Sequence, residues 1–314
     1  MSRFLVKRLA GAFVVLVLVS LMSFAIIWLV PGDPTAAFLD TSATPDQVAR
    51  LRQQLGLDRP IAMQMLDWYA RIVQGDLGHS ILLNRSVTAA ILERLPVTLS
   101  LAGLALAFAL VMGVLAGIVA AVHHNRWPDQ LVMSLALFGL SVPDFWLGIM
   151  LILLFAVKLG LFPTGGYVPF SEDPFGWAGT IIMPALTLAI IQVGFVARMT
   201  RASMLEILNQ DFIRTADAKG LKRAEIMLRH GLPNALIPIL TVGGIVAGAL
   251  LGGAVIIEQV YSIPGVGRLI IGGILSRDYP VIQGGLLFLA VIYLTVNLVV
   301  DILYAVADPR VRLE

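Results

Sequence analysis

Residues 9–30 contain no Asp, Glu, Lys or Arg, and residues 97–122 and 236–257 are equally free of charge. A helix needs about 20 residues to cross a hydrocarbon layer of about 30 Å, so each of these runs can span a membrane. Three more qualify with an interruption. Residues 131–158 carry Asp144, residues 180–197 carry Pro184 and Gln192, and residues 284–306 carry Asp301 near their end. Only 13% of the chain is charged against 58% hydrophobic, where soluble domains hold about 25% and about 45–50%. The expectation is an all-α integral membrane protein with six transmembrane helices.

Those runs divide the chain into a first segment with its span (1–30), a long polar stretch (31–96), and spans at 97–122, 131–158 and 180–197. A second polar stretch (198–235), a fifth span (236–257), a connector (258–283), a sixth span (284–306) and a tail (307–314) complete it. Arg3, Lys7 and Arg8 precede the first run as they would in a signal peptide. That run is too long for one, and no small-x-small cleavage site follows it, so it is expected to stay as an anchor. Short-loop Lys and Arg, among them Arg126, the residues from Arg198 to Arg229, Arg310 and Arg312, gather on the side of the N-terminus. The positive-inside rule then places both termini in the cytoplasm.

Several functions are excluded at this stage. The 22 Lys+Arg nearly balance the 20 Asp+Glu, which leaves no basic surface for nucleic acid. With no cysteine there is no disulfide, thiolate or Cys-based metal site. His79, His123, His124 and His230 are scattered, and no His-Glu-x-x-His occurs, so no metal site or intramembrane catalysis is expected.

Stretch 31–96 reads as a small helical insertion on the outer side. Thr44-Pro45-Asp46-Gln47 has the form of a capping box with proline at the first helical position. A second helix is expected over 61–73, with Trp68 and Tyr69 at the membrane interface, and a third after Ser86. The insertion either braces the spans or docks an external partner.

Stretch 198–235 carries seven basic and four acidic residues, and Met204, Leu205, Leu208, Phe212 and Ile213 recur at helical spacing. It holds the run Arg214-Thr-Ala-Asp-Ala-Lys-Gly220, followed after nine residues by His230-Gly-Leu232-Pro233. This resembles the cytoplasmic loop motif of bacterial ABC importer permeases, Glu-Ala-Ala, three residues, Gly, nine residues, Ile-x-Leu-Pro. Ala216, Gly220, Leu232 and Pro233 match, whereas Arg214, Thr215 and His230 depart from the general form. Arg-Thr-Ala-x-Ala-Lys-Gly is the variant of the dipeptide, oligopeptide and nickel permease family. Pro31-Gly-Asp-Pro34, Leu55-Gly-Leu-Asp-Arg-Pro60, Gly75-Asp-Leu-Gly78, Pro264-Gly-Val-Gly-Arg268 and Asp308-Pro-Arg310 agree with it.

The resemblance implies a type I ABC importer permease fold in the bacterial inner membrane. It implies a half-permease paired with a second homologous permease, two ABC ATPases that use ATP and Mg²⁺, and a periplasmic solute-binding protein. No cofactor is expected on this chain, which has no Gly-x-x-x-x-Gly-Lys-Ser/Thr to hold a nucleotide. Arg214, Thr215, Ala216, Ala218, Lys219, Gly220, Leu232 and Pro233 would belong to the ATPase-coupling loop. Gly220 would be a hinge or close-approach residue, and Pro233 would start the fifth span.

Gly244, Gly248 and Gly252 form a small-residue stripe, read as helix packing or as a smooth passage lining, with Gly113 and Gly117 a weaker pair. Asp144 follows Pro143 inside the third span. An unpaired charge there costs at least ~2.5 kcal/mol. It is therefore a candidate for the substrate pathway, against a carboxyl that is protonated or bonds backbone groups loosened by the proline. The alternative function is an ion-coupled secondary transporter. The substrate, whether dipeptide, longer peptide, glutathione or a nickel complex, is not legible.

Overall fold

The computed structural model describes residues 2–29, 44–54, 57–80 and 82–307. Pro31–Pro34, Leu55, Gly56 and Asp308–Arg310, named above, lie outside them. The helices are α1 (Ser2–Leu29), α2 (Pro45–Gln54), α3 (Ile61–Val73), α4 (Val87–Val122), α5 (Trp127–Ser141) and α6 (Asp144–Leu151). They continue with α7 (Pro174–Leu208), α8 (Asp211–Ala218), α9 (Arg223–Ile226), α10 (Leu232–Val260), α11 (Val266–Ser276) and α12 (Tyr279–Ala307). A two-stranded hairpin, β1 (His79–Ser80) with β2 (Arg85–Ser86), pairs His79 with Ser86. Among the described residues, five helices are long and apolar enough to cross a membrane, and α5 with α6 and the turns after it passes the same test only as a bent pair, the geometry of a broken span or a re-entrant loop.

The break follows from Pro143. Proline pushes the residue before it out of the helical region, and Val142 is extended at φ −94°, ψ 127°. The two halves meet at 103°. Beyond α6 the helix widens into π turns over Ile152–Lys158. A straight third span over 131–158 is therefore replaced by a corner, and Asp144 stands just past it as the first residue of α6.

Other boundaries also differ from the hydropathy reading. The helix expected after Ser86 is the first part of α4, which runs 36 residues through Pro96 without stopping. α7 starts at the cap made by Asp173, whose Oδ1 accepts the Phe175 N–H at 3.0 Å, and Pro174 suits its first turn. It then runs 35 residues, past Pro184 and past the charges at Arg198 and Arg201. The 180–197 span is thus the middle of a longer helix, and the 198–235 stretch begins inside it.

The chain forms two compact units. One comprises Leu5–Pro96 and Pro264–Leu294. In it the Thr44 N–H donates to Gln47 Oε1 at 2.9 Å, which is half of the capping box read from the sequence. Trp68 of α3 is buried against Phe24 of α1, with ring centroids 5.7 Å apart, and the Tyr69 hydroxyl meets Ser20 Oγ at 2.8 Å. Trp68 is thus packed on the face of α1, the first span. Packing against α1 buries a face that the sequence leaves unassigned. Ser80 Oγ donates to the buried Asp278 Oδ2 at 2.5 Å and ties the hairpin to the α11–α12 turn.

The other unit comprises Val97–Ile263 and the chain from Thr295 onward. Its core joins α4, α7 and α10 through Leu101, Ala105, Ile181, Leu188, Val246, Leu250 and Ile257. α4 and α7 approach so closely that a Cβ on Gly113 would lie 2.6 Å from Val196 Cβ, and one on Gly117 2.6 Å from Thr200 Cβ. Only glycine allows this contact. Tyr261 is buried after α10, and its hydroxyl meets Thr187 Oγ1 at 2.8 Å and the Gly148 carbonyl at 3.3 Å.

Candidate functional site

The motif segment is an amphipathic helix with a defined stop. In α8, Ile213 and Ala216 are buried with Ile226 against Leu208 and Leu221. Arg214, Thr215, Ala218 and Lys219 are exposed on the other side. Arg214 Nη1 lies 3.3 Å from Asp211 Oδ1, and Thr215 Oγ1 donates to the Asp211 carbonyl at 3.0 Å. Both contacts brace the first turn.

The last turn closes on Gly220. Its N–H donates to the Asp217 carbonyl at 2.9 Å, and the Leu221 N–H reaches the Ala216 carbonyl at 3.4 Å. These two bonds, with an apolar residue after the glycine packing back on the helix, are a Schellman cap. Gly220 adopts φ +77°, and a Cβ there would meet nothing within 4 Å. The glycine is required by its left-handed backbone and not by close approach.

The segment is seated on the spans through Leu208. This side chain packs on the α8 cluster and also against a second cluster, formed by Ala121, Met204, Ile207, Ala235 and Ile239 where α4, α7 and α10 converge. α9 leads through π turns at Met227–Gly231 directly into α10. Pro233 stands in the first turn of α10, at the start of the helix that carries the fifth span, as expected. It falls just after wider turns, which accommodate a residue with no N–H to give, and Leu232 beside it is half-buried.

A clamp that the sequence reading did not single out lies nearby in the chain. Arg201 Nε is 2.5 Å from Asp129 Oδ1 and Nη2 is 2.7 Å from Oδ2, a bidentate pair joining α7 to α5. The Asn125 N–H adds 2.9 Å to Oδ2, and His124 Nδ1 stands 3.0 Å from Arg201 Nη2. Asp129 is only 3% exposed. Its one signal in sequence is an acid in the first turn after Trp127-Pro128. Glu258 is likewise fully buried and accepts from Thr98 Oγ1 at 2.6 Å.

Asp144 is half-buried and turned toward α10, with Oδ2 3.6 Å from where a Cβ on Gly253 would sit. Among the described residues it makes no hydrogen bond or ion pair, and Gln192 makes none either. The proposed bond to loosened backbone groups is not formed. The glycine stripe divides: Gly244 is packed on Val300, Gly248 is buried, and Gly252 faces open space.

Fold and motif together define a multi-pass permease, and comparison with known proteins agrees. Residues 113–313 match the family described as the binding-protein-dependent transport system inner membrane component, and residues 1–102 match its N-terminal companion. A Brucella abortus (strain 2308) protein named for a peptide transport system permease is 47% identical over 314 residues, covering 100% of both chains. The glutathione transport system permease protein GsiC of Escherichia coli (strain K12) is 40% identical over 312 residues, 99% of both. Among solved structures, the inward-facing MetNI methionine ABC transporter superposes with a TM-score of 0.58 at 19% identity, over 69% of this chain and 96% of that one. An amino acid ABC transporter solved with histidines gives 0.51 at 20% identity, over 71% of this chain and 94% of that one.

The chain belongs to the binding-protein-dependent transport system inner membrane component family. It is a multi-pass inner membrane permease of a binding-protein-dependent ABC importer with the type I importer fold, a transport subunit and not an enzyme. It works with ATPase and binding-protein partners. Membership sets aside the ion-coupled secondary transporter.

Proposed function

We propose that this permease imports short peptides and that α8 is the element its ATPases push. Both termini and stretch 198–235 then lie in the cytoplasm, and stretches 31–96 and 258–283 face the periplasmic binding protein. The chain forms half of the passage, a second homologous permease the other half, and two ATPases hold the ATP and Mg²⁺. Gly244 and Gly248 serve helix packing.

The observation that carries the coupling role is the build of α8. An eight-residue helix cannot persist alone in water. This one is capped at Gly220, braced at Asp211, and seated on Leu208, which packs against the cluster where three spans converge. Its exposed row of Arg214, Thr215, Ala218 and Lys219 is left for a partner groove. ATP-driven closure of that partner would shift a two-state packing of the spans between inward- and outward-open forms. The peptide reading is supported by the names of the two relatives, since glutathione is itself a tripeptide.

The experiment is reconstitution of the complete complex in nanodiscs with its binding protein loaded with short peptides. ATP hydrolysis is expected to rise on adding the loaded protein. Solute movement by this chain with its sister permease alone, without ATP, would overturn the reading.

A further inference from the structure

We propose that Asp144 is where the passage takes hold of the N-terminal ammonium of a peptide in transit. The inference rests on the peptide-importer reading and adds the residue that recognises the chemical group common to the whole substrate class.

The first observation is contrast. Asp129, Glu258 and Asp278 are buried acids, and each accepts a hydrogen bond at 2.5–2.6 Å, from Arg201, Thr98 and Ser80 respectively. Asp144 has no such partner among the described residues, although it stands within a span. An ionised group there is placed against a partner or a water-filled path.

The second observation is location. Asp144 follows the corner at Val142-Pro143. α5 ends at that corner, and the last four carbonyls of any α-helix have no intrahelical acceptor role to fill. A helix C-terminus also carries partial negative charge. Asp144 follows the last of those carbonyls by three residues, and an ammonium with several N–H donors suits both groups. In secondary transporters such broken helices hold ions and charged substrate groups.

The third observation is room. Gly253 of α10 faces the carboxylate with no side chain of its own, and Asp144 is itself only half-buried. Gln192 stands on the α7 face of Leu188, one turn along, and Leu188 reaches Gly253. It offers an amide to a passing peptide bond. An ammonium is the one cation that peptides share irrespective of side chains, which suits a passage that must accept many sequences.

The test is uptake of trialanine and of its desamino analogue, propionyl-dialanine, by the full complex in proteoliposomes with saturating binding protein. Asp144→Asn is expected to lower trialanine moved per ATP hydrolysed by about tenfold or more, the loss of a charge-assisted contact. Asp144→Glu is expected to restore most of it, and the analogue is expected to move equally in parent and Asn variant. Equal trialanine uptake by Asp144→Asn overturns the assignment. So does an equal loss for the analogue, or failure of the variant to co-purify with the sister permease, either of which makes Asp144 a packing residue. If the unsubstituted complex does not take up trialanine, the peptide reading itself falls, and the assignment falls with it.

Discussion

Replacing Gly220 separates backbone conformation from side-chain size. The residue sits at φ +77° with open space around its Cα. A left-handed backbone costs an ordinary L-residue about 1–2 kcal/mol, and a β-branched residue there is an outlier. Each 1.4 kcal/mol is tenfold, so the ratio of capped to frayed last turn in α8 should fall about 5- to 30-fold in Gly220→Ala. Asn tolerates this region better than Ala although it is larger. The expected order of activity is Gly, then Asn, then Ala, then Val. The assay is ATP hydrolysis stimulated by loaded binding protein in the reconstituted complex, normalised to the ATPase that co-purifies. An order that follows volume, with Ala above Asn, would refute the argument, as would a flat series.

Other outcomes follow from the packing. Arg201→Ala leaves Asp129 buried without its bidentate partner and should cost about 3–5 kcal/mol, read as a lower denaturant midpoint in detergent by tryptophan fluorescence. Gly117→Ala should destabilise by about 1–3 kcal/mol through overpacking against Thr200. Gly103→Ala in the same helix, where nothing lies within 4 Å, should be neutral or stabilising in the same measurement. Tyr261→Phe should cost only about 1 kcal/mol, because Thr187 keeps its bond to the Met183 carbonyl at 2.8 Å.

Local signals in the sequence carried much of this architecture. The helix at Ile61–Val73 and the cap at Thr44 are short-range features, set by residues within a few positions of each other; the helix is found as read, and the cap in the half that Gln47 makes. Signals that a distant partner decides were not legible. Pro96 and Pro184 read as punctuation, yet α4 and α7 continue through them. Pro143 sits in an equally apolar run but does break its span. The Asp129–Arg201 clamp joins residues 72 apart, and Trp68 required the face of α1 to become buried. The glycine pattern was legible only in part: Gly244 is packed on Val300 and Gly248 is buried, whereas Gly252 is open, and the weaker pair in α4 makes a tight contact with α7 as well.

The corner in the third span bears on what this stretch needs from its neighbours. At about 1.5 Å per residue, the 15 residues of α5 rise only about 22 Å, short of the hydrocarbon thickness. The 15 residues of α6 and its π turns are equally short. Neither half reaches across the hydrocarbon layer by itself, so the pair depends on what packs around its corner. Backbone groups opened at Val142-Pro143 find cover in lipid only against other protein. The bend is thus a feature that this stretch owes to its neighbours: α7 packs on both halves and α10 on the second, and without them the corner has nothing to cover it.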